Sequence, residues 1–334
     1  MASAYLLSAA PASGRDPKAH LDLEQMRDAA RADRFGVHEV ADGPGEADLI
    51  LFVETSGAAG YYFERVRRHP VYRAFRSRSY LFCSTDRVVP LVPGVYASIE
   101  ARQYRPAWTR SGHYLGVKER GPLRYKPDRS PSWLYSFVGS TTTNRFRARI
   151  KGLRHPEALI IDVDSEPPVD DRLKRFADSI HDSSFVLCPR GGGTSTFRLF
   201  ESMMLGRVPV IISDQWVPPK GPDWPSFSLR VREGDLASVP DLLESHKAHA
   251  RAMGETARAV WLNWFSERAS FHRTIEWCLE LAIEAPTRTG LERYRPWLQM
   301  LRPYHAARAV AKRLGHGASW GPSGPARRIR GAQH

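Results

Sequence analysis

With 334 residues, 42% of them apolar and 25% charged, the chain has the length of two ordinary domains and the composition of a globular protein. No apolar run is long enough for a bilayer-spanning helix, and Cys83, Cys188 and Cys278 lie too far apart for a CxxC zinc or redox site, which excludes those classes and suggests a reducing, cytoplasmic setting. The net charge of +13 favours anionic partners: nucleotide phosphates, acidic glycans, nucleic acid or an anionic membrane.

The first half reads as strands alternating with helices. AYLLSA (4–9) is a strand; with no basic residue before it, it is not read as a signal peptide. HLDLEQMRDAARADRF (20–35) is a helix, ADLILFVE (47–54) a buried strand, and 61–77 mostly helical with Pro70 interrupting it. SYLFCSTD (79–86) is a further strand. Residues 87–131 are rich in Pro and Gly and are expected to be loops and short elements ending in a linker near Lys126–Ser132.

The pattern then restarts. WLYSFVGS (133–140) and ALIIDVD (158–164) are strands around a basic helix at 144–153, and 170–183 is a helix with one apolar face. Next come FVLCP (185–189), a helix at 196–205, VPVIISD (208–214) and FSLRV (227–231), with helices at 235–246 and 247–284. Strands separated by helices predict two parallel sheets, whose ligands would lie outside the carboxyl ends of the strands. The expected division is a first Rossmann-like domain over 1–130, a second over 131–290, and a basic tail over 291–334. From Arg293 onward the tail holds nine Lys/Arg and no acid. It is either a solvated extension or a weak anchor to anionic lipid at the inner face of the membrane.

The chemistry concentrates at 184–214, SFVLCPRGGGTSTFRLFESMMLGRVPVIISD. Here a strand runs into Arg190-Gly191-Gly192-Gly193-Thr194 and then a helix. Glycines admit a ligand close to the backbone, and a helix N-terminus offers free N–H groups to an anion. The pattern is neither a Walker loop nor a complete GxGxxG, because Thr196 stands where the last glycine would be. Arg198 can neutralise a diphosphate, and Glu201, one turn on, can accept ribose hydroxyls. A surface ion pair is the plainer reading of that spacing.

The strand beyond the helix decides between these. CPRGGGTSTFRLFESMMLGRVPVIISD resembles the donor-binding segment of exostosin-family glycosyltransferases in Thr196, Arg198, Glu201, Gly206, Pro209, Val210, Ile211, Ser213 and Asp214. The likeness runs on through Pro218, Asp223-Trp224 and Phe227–Val231, weakly to 251–265, and back to Phe137-Val138-Gly139; it covers about 133–270. The resemblance implies a GT-B fold, α/β, with two Rossmann-like domains facing across a cleft. It implies inverting transfer from a UDP-sugar to a glycan or lipid-linked acceptor, as in polysaccharide biosynthesis, with no required cofactor. By that likeness Arg198 contacts the diphosphate, Glu201 the ribose and Thr196 a phosphate, with Ser140, Arg190, Gly192 and Gly193 as further donor contacts.

Other residues carry competing or supplementary readings. Asp162-Val163-Asp164, after an apolar strand, could hold Mg²⁺ or Mn²⁺ against a diphosphate. Inverting transfer needs a base, expected from the first half: Asp86 and Glu54 at strand ends, with His113 third. Trp216 and Trp224, flanking VPPKGPD, could form a sugar platform. The alternatives are a fucosyltransferase-like enzyme using a GDP-sugar and, from another class, a basic nucleic-acid-binding protein; no helix-turn-helix, zinc or RNP pattern supports the latter, so no specific nucleic acid is expected.

Overall fold

The computed structural model describes residues 1–11, 20–54, 63–86, 88–166 and 171–285, together with Leu298. The expected basic tail therefore lies outside the described residues apart from Leu298. Among the described residues no helix is long and apolar enough to cross a membrane.

The first half runs β1 (Ala2–Leu7), α1 (Leu21–Arg31), β2 (His38–Val40), β3 (Leu49–Glu54), α2 (Glu64–Arg68), α3 (Pro70–Ala74), β4 (Ser79–Cys83), β5 (Gly94–Tyr96) and β6 (Thr109–Ser111). These strands form one parallel sheet in the order β2-β1-β3-β4-β5-β6. Every residue of β3 and β4 is buried, as expected of central strands covered on both faces. In α1, Leu23, Met26 and Ala29 recur at helical spacing and are buried, while Asp22 and Glu24 sit in the first turn and Arg31 in the last, in keeping with the helix dipole.

The second half runs β7 (Trp133–Gly139), a 3₁₀ helix (Arg145–Gly152), β8 (Ala158–Asp162), α4 (Arg172–His181), β9 (Ser183–Pro189), α5 (Phe197–Met204), β10 (Val208–Ile212), β11 (Leu229–Val231), α6 (Val239–His246), α7 (Ala250–Trp264) and α8 (Glu267–Glu284). Its sheet is also parallel, ordered β11-β10-β9-β7-β8. Counted from its own first strand, that order is 2-1-3-4-5, which the first sheet repeats with a sixth strand added, 2-1-3-4-5-6. Each sheet thus has a switch point beside its first strand, β1/β3 in one and β7/β9 in the other, where open α/β sheets bind ligands.

Three strands escape the sequence pattern. β2, β5 and β6 have three residues each, too few to show a period, and β5 and β6 lie in the Pro- and Gly-rich stretch expected to be irregular. The expected basic helix at 144–153 is a 3₁₀ helix, opened by the Asn144 side chain accepting from the Phe146 N–H at 3.1 Å. The final helical stretch divides at Phe265-Ser266, and α8 returns to pack on α1, β5 and β6 of the first sheet. Buried Arg110 on β6 fixes it there, donating to Glu280 at 3.0 Å and Glu284 at 2.7 Å. A single apolar cluster consequently runs from β1, β3 and β4 through α5, α7 and α8.

Candidate donor site at the second switch point

The carboxyl ends of β7 and β9 are held together by a buried arginine that no sequence motif marks. Arg147 donates to Ser140 O at 3.2 Å, Pro189 O at 2.9 Å and Arg190 O at 2.9 Å, so one planar guanidinium ties both strand ends and the start of the glycine loop. Burial lowers its pKa to about 10, and the nearby Arg198 cation pushes the same way. In NRFRARIKGL it reads as one of several surface charges, and only the fold singles it out.

Arg198 lies beside it, buried between Phe137, whose ring is 4.6 Å below the guanidinium, and Phe176. Its Nη2 donates to Val138 O at 2.6 Å, while Nε and Nη1 have no partner. Burial lowers its pKa against the raising effect of Glu201. Position 139 must be glycine for this arrangement: a Cβ there would sit 2.5 Å from Arg198 Nη2. Half-buried Glu201 lies one turn further along α5, its carboxyl raised above the usual range by desolvation, with Arg198 and Arg120 opposing. Thr196 occupies the N-cap of α5 without making a side-chain cap. An enclosed cation with two idle N–H groups is costly unless an anion completes it.

The first half closes over this loop. A Cβ on Gly193 would collide with Asp86 Oδ1 and Ser98 Oγ, and one on Gly192 would lie 3.4 Å from Asp86 Oδ2, so the loop's glycines are what let the two halves meet. Ser98 Oγ accepts from the N–H groups of Thr194 (2.9 Å) and Ser195 (3.3 Å), and Thr194 Oγ1 donates to Ile99 O at 3.0 Å. Tyr114 OH donates to Asp86 Oδ1 at 3.2 Å, and the Tyr114 ring stacks on Phe197 at 4.1 Å. Asp86, Gly192, Gly193, Thr196, Arg198 and Glu201 are thereby gathered at one place. Ser98 and Tyr114 could not be singled out from sequence, since neither belongs to a periodic element.

The remaining candidates lie elsewhere. Glu54 is 1% exposed and turned into the first switch point, where it accepts from Ala9 N–H at 2.7 Å and Ser8 Oγ at 3.1 Å; burial pushes its carboxyl up to about 7. His113 is not a surface base: it is enclosed among Phe82, Phe200, Phe265 and Trp277, bonded to Ser270 Oγ at 2.8 Å, and burial lowers its pKa to about 3. Trp216 and Trp224 do not form an open platform. They pack edge to face at 4.9 Å, both buried, and Trp224 Nε1 donates to Pro219 O. Arg190 is drawn away from the loop by an ion pair with Glu233 at 2.5 Å. Ser140 Oγ donates to Asp164 at 2.6 Å, and Thr142 adds a second hydroxyl at 2.9 Å. Asp162 accepts from Thr141 Oγ1, Lys151 and Ser165; against the desolvation that would raise it, these bonds hold its carboxyl well below the usual range. Both carboxylates of the DxD are thus occupied by the chain's own donors.

Two like-ordered parallel sheets, whose carboxyl ends meet around a glycine loop and a buried arginine, define a GT-B type of α/β protein. Residues 104–246 match the Exostosin GT47 domain. Over that span the chain is similar to the exostosin-like glycosyltransferases, and the match begins well upstream of the likeness carried by the motifs. The chain is 36% identical over 104 residues to the Exostosin-1 homolog of Caenorhabditis elegans, which is 28% of this chain and 27% of that protein. It is 41% identical over 75 residues to the probable glucuronoxylan glucuronosyltransferase IRX7 of Arabidopsis thaliana, 22% of this chain and 17% of that one. The chain thus matches under a third of each relative's length. Among solved structures, HepE of Anabaena in complex with UDP aligns over 86% of this chain and 100% of that chain, at 10% identity and a TM-score of 0.35.

Proposed function

We propose that the chain is an inverting glycosyltransferase that moves a hexosyl or uronosyl group from a UDP-sugar to a hydroxyl of a glycan or lipid-linked acceptor. The observation that carries this reading is Arg198, buried at the second switch point with Nε and Nη1 unpartnered, beside a glycine loop that faces Asp86. The names of the relatives, exostosin and glucuronosyltransferase, favour this donor class.

In this mechanism the diphosphate lies along the glycine loop, with Arg198 and the N–H groups at the start of α5 taking its charge. Thr196 donates its hydroxyl to a phosphate, and Glu201 accepts from the ribose. Asp86 removes the proton of the acceptor hydroxyl as its oxygen attacks the anomeric carbon. The bond from that carbon to the diphosphate oxygen breaks, and UDP leaves with the electron pair. Glu54 is assigned to holding the first switch point rather than to the proton transfer. Leaving-group charge is assigned to Arg198 and the loop, since Asp162 and Asp164 are committed to protein donors. The first sheet serves the acceptor, the second the donor, and the enzyme works in the cytoplasm, with the basic tail as its contact with anionic membrane.

A thermal-shift screen with UDP, UDP-sugars, GDP, GDP-sugars and a DNA duplex tests this. A nucleotide at 100 times its Kd stabilises the fold by about 2.7 kcal/mol. A shift with uridine compounds alone is expected. A shift with GDP compounds alone moves the reading to a fucosyltransferase-like enzyme, and salt-sensitive DNA binding with no nucleotide response overturns it.

A further inference from the structure

Away from the donor-site residues, three metal-ligating side chains come together where the edge strand β2 meets α8. His38 stands at the start of β2, and His272 and Glu276 lie one turn apart on α8. One ligand atom from each, an imidazole nitrogen from either histidine and a carboxylate oxygen from Glu276, all fall within 4.8 Å of one another. His38 Nε2 is already 2.7 Å from Glu276 Oε1. We propose that His38, His272 and Glu276 form a binding site for one divalent transition-metal ion of the zinc type, tying the edge of the first sheet to the C-terminal helix.

A plain His38–Glu276 hydrogen bond explains less of what is found. It leaves Nδ1 of His38 and Nδ1 of His272 enclosed without a partner. Buried ring nitrogens are as a rule satisfied, and leaving one idle costs the full desolvation of that atom. Asp33 lies within electrostatic reach of His272, and its Oδ1 is likewise enclosed and unpartnered. Three enclosed atoms, His38 Nδ1, His272 Nδ1 and Asp33 Oδ1, thus stand without a partner beside the trio, with the Arg273 cation as a positive charge acting on His272.

The donor set selects the metal. Two imidazoles and a carboxylate suit zinc, nickel or cobalt, and fit neither Mg²⁺ nor Ca²⁺, which take oxygen. Zinc holds nitrogen and oxygen at about 2.0–2.2 Å, which sets donor–donor distances of roughly 3.3 Å in a tetrahedron. With all the ligand atoms within 4.8 Å of one another, the trio need draw in by at most roughly 1.5 Å. The His272 ring is already oriented by stacking on Phe35 at 4.1 Å. Glu276, 45% exposed, is the side by which an ion would enter and where a water would complete the shell. The site is separate from the glycosyl-transfer reading and does not rest on it.

The test is Co²⁺ and Zn²⁺ titration of the full chain after chelator treatment. One Co²⁺ per chain is expected, with visible d–d bands and no thiolate charge-transfer band, together with a Zn²⁺-dependent rise in Tm. His272→Gln and Glu276→Gln should each weaken Zn²⁺ binding at least tenfold, and neither should change the UDP-induced thermal shift. No Co²⁺ spectrum in the wild-type chain overturns the proposal, as does retention of wild-type stoichiometry and affinity by both variants. If His272→Gln does not fold, Glu276→Gln decides alone, because that side chain is half in solvent.

Discussion

Glu54 gives the sharpest quantitative test. Its carboxyl is pushed from 4.5 up to about 7, chiefly by burial, with the Ala9 N–H and Ser8 hydroxyl too weak to compensate. A group whose folded pKa is raised contributes stability that is fully present below pH 4.5 and lost as pH rises through 7. The difference corresponds to about 3 kcal/mol at 1.36 kcal/mol per pKa unit. Glu54→Gln mimics the protonated carboxyl in shape and cannot ionise, so the variant should be insensitive to this transition. Urea unfolding of both chains across this range, read as wild type minus variant, cancels every other titrating group. The difference should be near zero at pH 4.5 and grow to about 3 kcal/mol in the variant's favour above pH 7. Parallel curves would refute the claim that Glu54 is ionised at a cost in the folded state.

The geometry sets three further outcomes. Asp86→Asn should lower kcat by about 10²–10⁴-fold with little change in donor KM, measured on whichever sugar nucleotide gives a thermal shift; a nearly silent variant removes Asp86 as the base. Gly139→Ala should push Arg198 off Val138 O and weaken UDP binding by about tenfold or more while the fold persists; calorimetry showing unchanged affinity would exclude Arg198 from the diphosphate. Gly254→Ala, on α7, would drive a Cβ into the backbone oxygen of Gly206 and should cost about 1–3 kcal/mol, seen as a lower denaturation midpoint with UDP affinity kept.

Legibility in the sequence tracks the range of the interactions. The glycine loop, Arg198, Glu201 and the strand after them are contiguous, so spacing alone places them on one turn of helix at one strand end. The long buried strands are equally plain, because strands covered on both faces read as unbroken apolar runs. Asp86 can be nominated only as an acid at a strand end; its position against Gly193 depends on two sheets more than a hundred residues apart folding onto one another. Arg147 and Trp216 show opposite failures of the same kind. A charged side chain in a basic stretch is buried because three strand-end carbonyls need a donor, and an aromatic that could face a sugar is buried because Trp224 packs against it.

That contrast bears on how the donor site works. Ser98 Oγ engages the same Thr194 and Ser195 N–H groups that a phosphate at this loop would seek, so in the proposed function the first half would supply a neutral stand-in for the ligand's charge. Replacing a hydroxyl acceptor by a phosphate oxygen strengthens those bonds, because charge-assisted hydrogen bonds are about twice as strong as neutral ones. Donor binding would therefore release the loop from Ser98 and Ile99 and free Asp86, which lies against the same glycines, to face the acceptor. A loop whose N–H groups are satisfied by a serine stays ordered at little cost, and in the proposed function would still yield to a diphosphate.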